Sequence, residues 1–509
     1  MADPAPELRS TDAESTIARR PIAGCGSDAA ARRCRLGLVP QWLDIECGFN
    51  SSAQGQPPIM LHHDTQLFHL TGDPRSELQA DDAAQWLAQV VPNFNSHAVE
   101  SQLANLSPNI VADNIVALND DQFLMLLTPP SAFHTTLYGP VFRMDPYLLV
   151  GGDDTGAGDG GGEWRSIPWS AHLLDERFGT RRRPYIKHNA RALSLPLLHE
   201  AALAFGEAFA ATPLSRFRGE HFAPREWEVN TIFLATHFVI ERHREALLWS
   251  WVVGKWGSQA RMPGVLDEKT KVAMWAELGG RDGKGEINLG MATRKTMQDI
   301  EPNLKRAEIK PPRAPKSLLE ADTVYSWVSM NGYSPTWRTL ASHISISRDN
   351  CLGANGERAW DMFRRLVMDD LSCGDQVISA LMHASKSGLG VFLPLHSVPP
   401  PPPSLADPIV LPLVLPVAPT PFPANPRAFA VRLIQRYAYA IGESAMYFVG
   451  PQSAQAASRL LRDADRQRNI ALMCINDDLG DDEVEVRAAD EVMRRWFEER
   501  WPEKLECER

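Results

Sequence analysis

Residues 244–257 read Arg-Glu-Ala-Leu-Leu-Trp-Ser-Trp-Val-Val-Gly-Lys-Trp-Gly. Wound as a helix, most of that run is apolar all the way round, and such a helix is stable only where neighbours cover every face. A bilayer does not supply the cover, because no uninterrupted apolar stretch of about 18 residues occurs to span one. The chain must therefore build its own core around the helix. At 509 residues and 44% hydrophobic content it has the material to do so, in two or three lobes. Upstream, Pro224 can open the same helix, through Trp227, Phe233 and Phe238. A second helix starts at Ser194 and Pro196 and carries Leu197, Leu198, Ala201, Ala202, Phe205 and Phe209 on its buried stripe.

Elsewhere in the chain, short apolar runs end in polar clusters, as buried strands do. Val116-Ala117-Leu118 runs into Asn119-Asp120-Asp121, and a second apolar run ends at 474–478 in Cys-Ile-Asn-Asp-Asp. Adjacent carboxylates at a strand end are costly to bury unless something positive meets them. A polar hairpin turn would explain either ending, since Asn and Asp are ordinary turn residues. Two such endings in one chain are harder to attribute to turns alone. In open α/β sheets ligands gather beyond the carboxyl ends of strands, where paired carboxylates could hold a metal and a phosphate. Two more polar clusters stand out: Pro92 to Glu100, and the basic stretch 181–189 with 215–222 after it.

Several function classes are set aside. A net charge of −11 argues against a broad nucleic-acid footprint, which needs a basic face. The seven cysteines are scattered and lack a Cys-x-x-Cys pair, which argues against structural zinc and leaves one or two disulfides open. The glycine-rich loop 151–163 lacks the Gly-Lys-Ser/Thr ending of a phosphate cradle, and the acidic run 476–485 has the glycine of a calcium loop misplaced. Residues 1–37 are expected to be a disordered leader, and 260–320 to be loop-rich. The proline-dense stretch 397–426 is expected to be an extended, dispensable insertion rather than a docking site for proline-reading domains.

Taken in order, these clusters resemble the Stealth family of sugar-phosphate transferases. The resemblance is carried by Pro92-x-Phe94-Asn95-Ser96-x-x-x-Glu100, Leu118-Asn119-Asp120-Asp121, the basic stretch ending in His188, Arg216-Phe217-Arg218, and Asn476-Asp477. The stretch 497–508 is similar to the family's closing block, and 241–257 to its fungal branch. The resemblance implies an α/β fold, with a Rossmann-like central sheet flanked by helices and with helical and loop-rich additions. Residues 38–257 would be the main catalytic region, 258–396 an accessory region, and 427–509 the part that completes the catalytic fold. The implied reaction moves an intact sugar-1-phosphate from a nucleotide sugar to a hydroxyl of an acceptor glycan. Asp120 and Asp121 would hold Mg2+ or Mn2+, His188 would act as general base, and Arg218 with Arg216 would take phosphate oxygens. Asn95, Ser96, Glu100, Asn119, Glu220, Asn476 and Asp477 would line the substrate pocket, although an N-cap role explains Ser96 almost as well, and a salt bridge to Glu220 the two arginines.

The family opens with Asp-x-Val-Tyr-x-Trp-Val-Asn-Gly, and no such block stands ahead of Val39. Its loss would leave an unpaired sheet edge, so weak activity and self-association, with a homodimer the simplest form, are expected of residues 1–509 alone. A Golgi or secretory-pathway lumen is implied by the resemblance, with Asn50 and Asn105 as formal glycosylation sequons. Two alternatives stand beside the transferase: a non-catalytic homologue that binds a glycan or a partner, and a metal-dependent glycosyltransferase that releases a nucleoside diphosphate.

Overall fold

The computed structural model describes residues 19–21, 36–38, 62, 64–70, 80–109, 111–155, 163–219, 227–260, 262, 264–293, 323–333, 341–385, 388–395, 410–413, 422–476, 478–504 and 508. These residues mix helices with small sheets, as an α/β chain should. Two compact units form. The larger holds residues 68–450 and 463–477, and the smaller holds 1–67, 451–462 and 478–509.

At the centre of the larger unit runs the helix Thr231–Trp249, every residue of which is buried. Asn230 opens it by accepting a hydrogen bond from Phe233 N at 3.0 Å, so the start lies past Pro224, which falls outside the described residues. The helix runs on through Ser250–Gly257 with wider, π-type turns. Its apolar residues meet Phe178, Phe205, Trp275, Phe363 and Phe429 in one core. Ser194 does precede a helix, Leu195–Ala204, but the chain breaks at Phe205 before resuming at Gly206–Ala211.

The central helix also buries Glu241, Arg242, His243, Arg244 and Glu245, which would be untenable without partners. Arg177 and Arg242 each reach Glu245 at 2.6 Å, Arg181 reaches Glu241 at 3.3 Å, and Arg244 reaches Asp375 at 2.5 Å. Arg242 donates to Leu411 O at 2.9 Å and to Tyr437 Oη at 3.0 Å, while Arg177 donates to Leu413 O at 2.6 Å. Leu411 is itself part of the core. The proline-dense stretch is therefore not a free insertion: its described residues 410–413 supply carbonyls to two buried guanidinium groups.

The strands form several short sheets rather than one wide sheet among the described residues. The largest is ordered Thr323–Val328, Ala440–Ser444, Gly139–Phe142, His134–Thr135, with the middle pair parallel. In a second sheet Met446–Val449 runs parallel to Leu472–Ile475, which pairs antiparallel with Gln122–Leu124. The connection between the parallel strands carries the helix Ala454–Arg466, a βαβ arrangement. Asn114–Ala117 pairs with Arg191–Ser194, and Met144–Val150 with Arg183–Ile186. Strands of 440–475 thus share sheets with strands of 122–142. The sequence Val324-Tyr325-Ser326-Trp327-Val328, which repeats the core of the block sought ahead of Val39, forms the edge strand of the largest sheet.

Other expectations change. Residues 260–320 contain a helix, Glu268–Glu277, and a strand, Glu286–Thr293, so polarity there does not mean loop. Within the expected leader, Arg19–Pro21 pairs with Leu36–Leu38, and its remaining residues lie outside those described. Cys351 and Cys373 form a disulfide. In the smaller unit, Asp482 caps the helix Glu483–Arg500 through Val484 N at 2.9 Å, which gives the acidic run a structural use. No helix among the described residues is long and apolar enough to cross a membrane.

Candidate active site

Two strand registers decide which polar residues meet. Ala117 lies opposite Arg191, and Gln122 opposite Cys474. Between Ala117 and Gln122 the chain makes a tight turn, closed by Gln122 N donating to Asn119 O at 3.1 Å and by Asn119 N donating to Gln122 Oε1 at 3.3 Å. This is no hairpin, because the strands on its two sides belong to different sheets. The turn holding His188, between the strands Arg183–Ile186 and Arg191–Ser194, arrives beside it.

The meeting point is Asp121. Its Oδ2 lies 2.9 Å from His188 Nε2 and accepts from the Cys474 thiol at 3.2 Å. Its Oδ1 is buried and meets no hydrogen-bond donor among the described residues. On the far side of the imidazole, Arg191 Nη2 is 3.3 Å from His188 Nδ1. A guanidinium can only donate, so Nδ1 accepts and the proton sits on Nε2, facing the carboxylate. Asp121 O also accepts from Ile475 N at 2.9 Å, which ties the turn to the second Asn-Asp-Asp ending.

Donor atoms of Asp121, His188 and Cys474 lie within 4.8 Å of one another, close enough to share one cation. The orphaned Oδ1 is the observation that such an ion would satisfy. Magnesium takes oxygen ligands almost exclusively, whereas imidazole and thiolate draw transition metals. Manganese, like magnesium, favours carboxylate and water oxygens, so of these three side chains the Asp121 carboxylate is the one that suits either ion expected from the sequence. Asp120 is exposed in the same turn, and the contacts that assemble the centre run through Asp121. Asn476 continues the strand end, its N–H donating to Val449 O at 2.7 Å. Asp477 and Glu220 lie outside the described residues.

A second group forms around Asn95, which caps the short helix Ser96–Ser101 by accepting from His97 N at 3.0 Å. Asn95 Nδ2 donates to Glu228 Oε1 at 2.9 Å, and Glu228 also accepts from Gly219 N at 2.9 Å. Arg218 donates to Ser96 Oγ at 2.5 Å, and Glu100 lies on the same short helix. Arg216 is occupied otherwise: its Nε donates to Gln89 O at 3.0 Å and its Nη2 to Ala88 O at 3.3 Å, at the carboxyl end of the helix Ala80–Val90. Of the two arginines, Arg218 is the exposed one.

Residues 187–241, which include His188 and Arg218, match the family model of Stealth protein CR3, conserved region 3. A 3-O-alpha-D-mannopyranosyl-alpha-D-mannopyranose xylosylphosphotransferase of Cryptococcus neoformans var. grubii is 30% identical over 490 aligned residues, covering 87% of this chain and 55% of the relative. The chain carries conserved region 3 of Stealth proteins. Exopolysaccharide phosphotransferases of Streptomyces coelicolor (33% identical over 132 residues, 25% of this chain and 23% of the relative) and Nocardia farcinica (32% over 206 residues, 39% and 38%) match shorter parts of the chain. The chain spans about half the length of the fungal relatives it matches, 55% of each.

The sequence reading missed Cys474, Arg191 and Glu228. Cys474 stands two residues before Asn476 at the end of the same apolar run, a signal that was open to reading. Glu228 sits between the buried Trp227 and Val229, and a carboxylate in that position needs a donor.

Proposed function

We propose that this protein transfers a sugar-1-phosphate from a nucleotide sugar to a hydroxyl of an acceptor glycan, forming a phosphodiester. The observation that carries the reading is the Asp121–His188 pair, 2.9 Å apart at the junction of two strand endings. In the reaction, the acceptor oxygen forms a bond to the phosphorus that bears the sugar. The bond from that phosphorus to the oxygen shared with the nucleotide phosphate breaks, and a nucleoside monophosphate leaves. His188 receives the hydroxyl proton at Nδ1, the nitrogen not already donating to Asp121, and Asp121 balances the resulting imidazolium. Arg191 now faces that nitrogen, so the hydroxyl must displace it. Asp121, through the buried Oδ1 that no described donor meets, would hold a divalent cation whose charge offsets the phosphates, while His188 is kept for the proton. Arg218, exposed beside the Ser96 hydroxyl, is assigned to the donor phosphates.

A secretory-pathway lumen is part of the same proposal. The Cys351–Cys373 disulfide supports it, since such bonds persist in oxidising compartments.

Product analysis tests the reaction. A phosphodiester-linked sugar with nucleoside monophosphate released is expected, and release of nucleoside diphosphate would instead identify a glycosyltransferase. Asp121→Asn and His188→Gln should each lower turnover by about 10²–10⁴-fold, with the metal-free melting temperature nearly unchanged. Wild-type turnover in either variant would remove that residue from the mechanism.

A further inference from the structure

We propose that Phe94 and Phe217 form a carbohydrate platform that seats the acceptor glycan, an inference that rests on the transferase reading above. The two rings come from separate loops and stack with centroids 5.3 Å apart and planes 14° apart. Both stand in solvent, at 67% and 51% exposure. Apolar rings left in water are common singly, but a stacked pair on a rigid frame marks a binding surface.

The frame is built from buried polar groups. Phe94 N donates to Arg216 O at 2.9 Å, which fastens one loop to the other. Beneath the rings, Asn93 Nδ2 donates to Pro213 O at 3.0 Å, and Asn95 Nδ2 to Ser215 O at 3.3 Å and Glu228 at 2.9 Å. Asn93, Asn95, Ser215 and Glu228 are all buried. Arg216 is held by the carbonyls of the preceding helix. The rings are thus preorganised, so little ordering cost remains when a ligand lands on them.

The chemistry around the rings selects the occupant. Stacked on each other, they leave no slot for a base to enter between them, and offer only outward apolar faces. The Ser96 hydroxyl and the Arg218 guanidinium, joined at 2.5 Å, lie on the flanking residues, with Glu100 on the short helix that Ser96 begins. Arg216 and Arg218 are offset by Glu100 and Glu228, so the patch has no net charge to draw a polyanion. A neutral pyranose matches: its C–H face covers a ring while its hydroxyls meet donors and acceptors at the rim.

The test is calorimetric titration of the full chain with 3-O-alpha-D-mannopyranosyl-alpha-D-mannopyranose, the disaccharide named for its fungal relatives. Phe94→Ala and Phe217→Ala should each weaken binding by tenfold or more, Phe94→Trp should keep it, and nucleoside monophosphate binding should not change in any of them. Equal disaccharide affinity in the alanine variants would overturn the platform. So would a wild type that binds no disaccharide at about 10 mM. Loss of nucleoside monophosphate binding in the alanine variants would also overturn it, by giving the rings to the base. Because binding is read without turnover, a protein that binds the disaccharide through the rings yet transfers nothing would keep the platform and reject the transferase reading. Turnover with an unchanged acceptor KM in both alanine variants would do the reverse.

Discussion

Asp121 and its neighbour Asp120 are one residue apart and identical in chemistry, yet only Asp121 accepts from both a histidine and a cysteine. Sequence order was enough to single out the pair and His188, because the motifs come in a fixed succession. It could not reveal Cys474, which stands 353 positions from Asp121 and reaches it only through the register of two strands. Arg216 shows the opposite limit. A fork of N–H donors serves a phosphate or a set of helix-end carbonyls equally well, and a motif cannot tell them apart. The sequons separate in the same way. Asn105 Nδ2, the atom a glycan would modify, already donates to His69 O at 2.7 Å and to Gln102 Oε1 at 2.9 Å. In secreted material, an endoglycosidase-sensitive mobility shift should therefore vanish in Asn50→Gln and survive in Asn105→Gln. Loss of the shift in Asn105→Gln alone would contradict this.

Among the elements, the central helix was legible where it is uniformly apolar, at 246–257, and illegible where it is charged. At 241–245 no local pattern announces the arginine, the aspartate and the carbonyls that arrive from 177, 375 and 411–413. The proline-dense stretch was misread for the same reason: it lacks a periodic apolar face, and its use is to present carbonyls. Replacing 398–424 with a Gly-Ser linker should strip Arg177 and Arg242 of those partners and remove Leu411 from the core. Each buried donor left without its acceptor costs about 1–3 kcal/mol, so chemical denaturation should show a clearly lowered midpoint. An unchanged midpoint would return the segment to the status of an insertion.

At the scale of the whole molecule, the α/β class was readable from apolar runs and amphipathic helices, but the division into small sheets was not. Which strand pairs with which is a long-range choice, as the pairing of 440–444 with both 139–142 and 323–328 shows. The Val-Tyr-x-Trp-Val strand at 324–328 escaped notice because it was sought only at the start of the chain. Global stability should depend on pH through groups sealed in the core. Burial, aided by the charge of Arg183, pushes His237 down to about 3, and burial pushes His243 down to about 4 against its backbone hydrogen bonds. Above pH 6.5 these histidines are neutral in both states. As pH falls from 6.5 towards 4, the unfolded chain binds protons that the folded core refuses, so stability is lost at about 1.4 kcal/mol per pH unit for each. Burial opposes the ionised form of Glu245, but Arg177 and Arg242 outweigh it and hold the carboxyl below 4.5, which adds to the loss at still lower pH. Denaturation midpoints should fall steadily between pH 6.5 and 4.5, and His243→Gln should flatten the slope; a pH-independent midpoint would show that these imidazoles titrate in place. The guanidinium clasp around residues 411–413 has one more consequence, in the order of synthesis. While the ribosome is still making the segment ahead of Leu411, the central helix already exists as sequence, but Arg177 and Arg242 lack both those carbonyls and Tyr437. The nascent chain must hold its largest apolar helix unsealed until that late segment emerges, so this unit cannot close its core from the amino end alone.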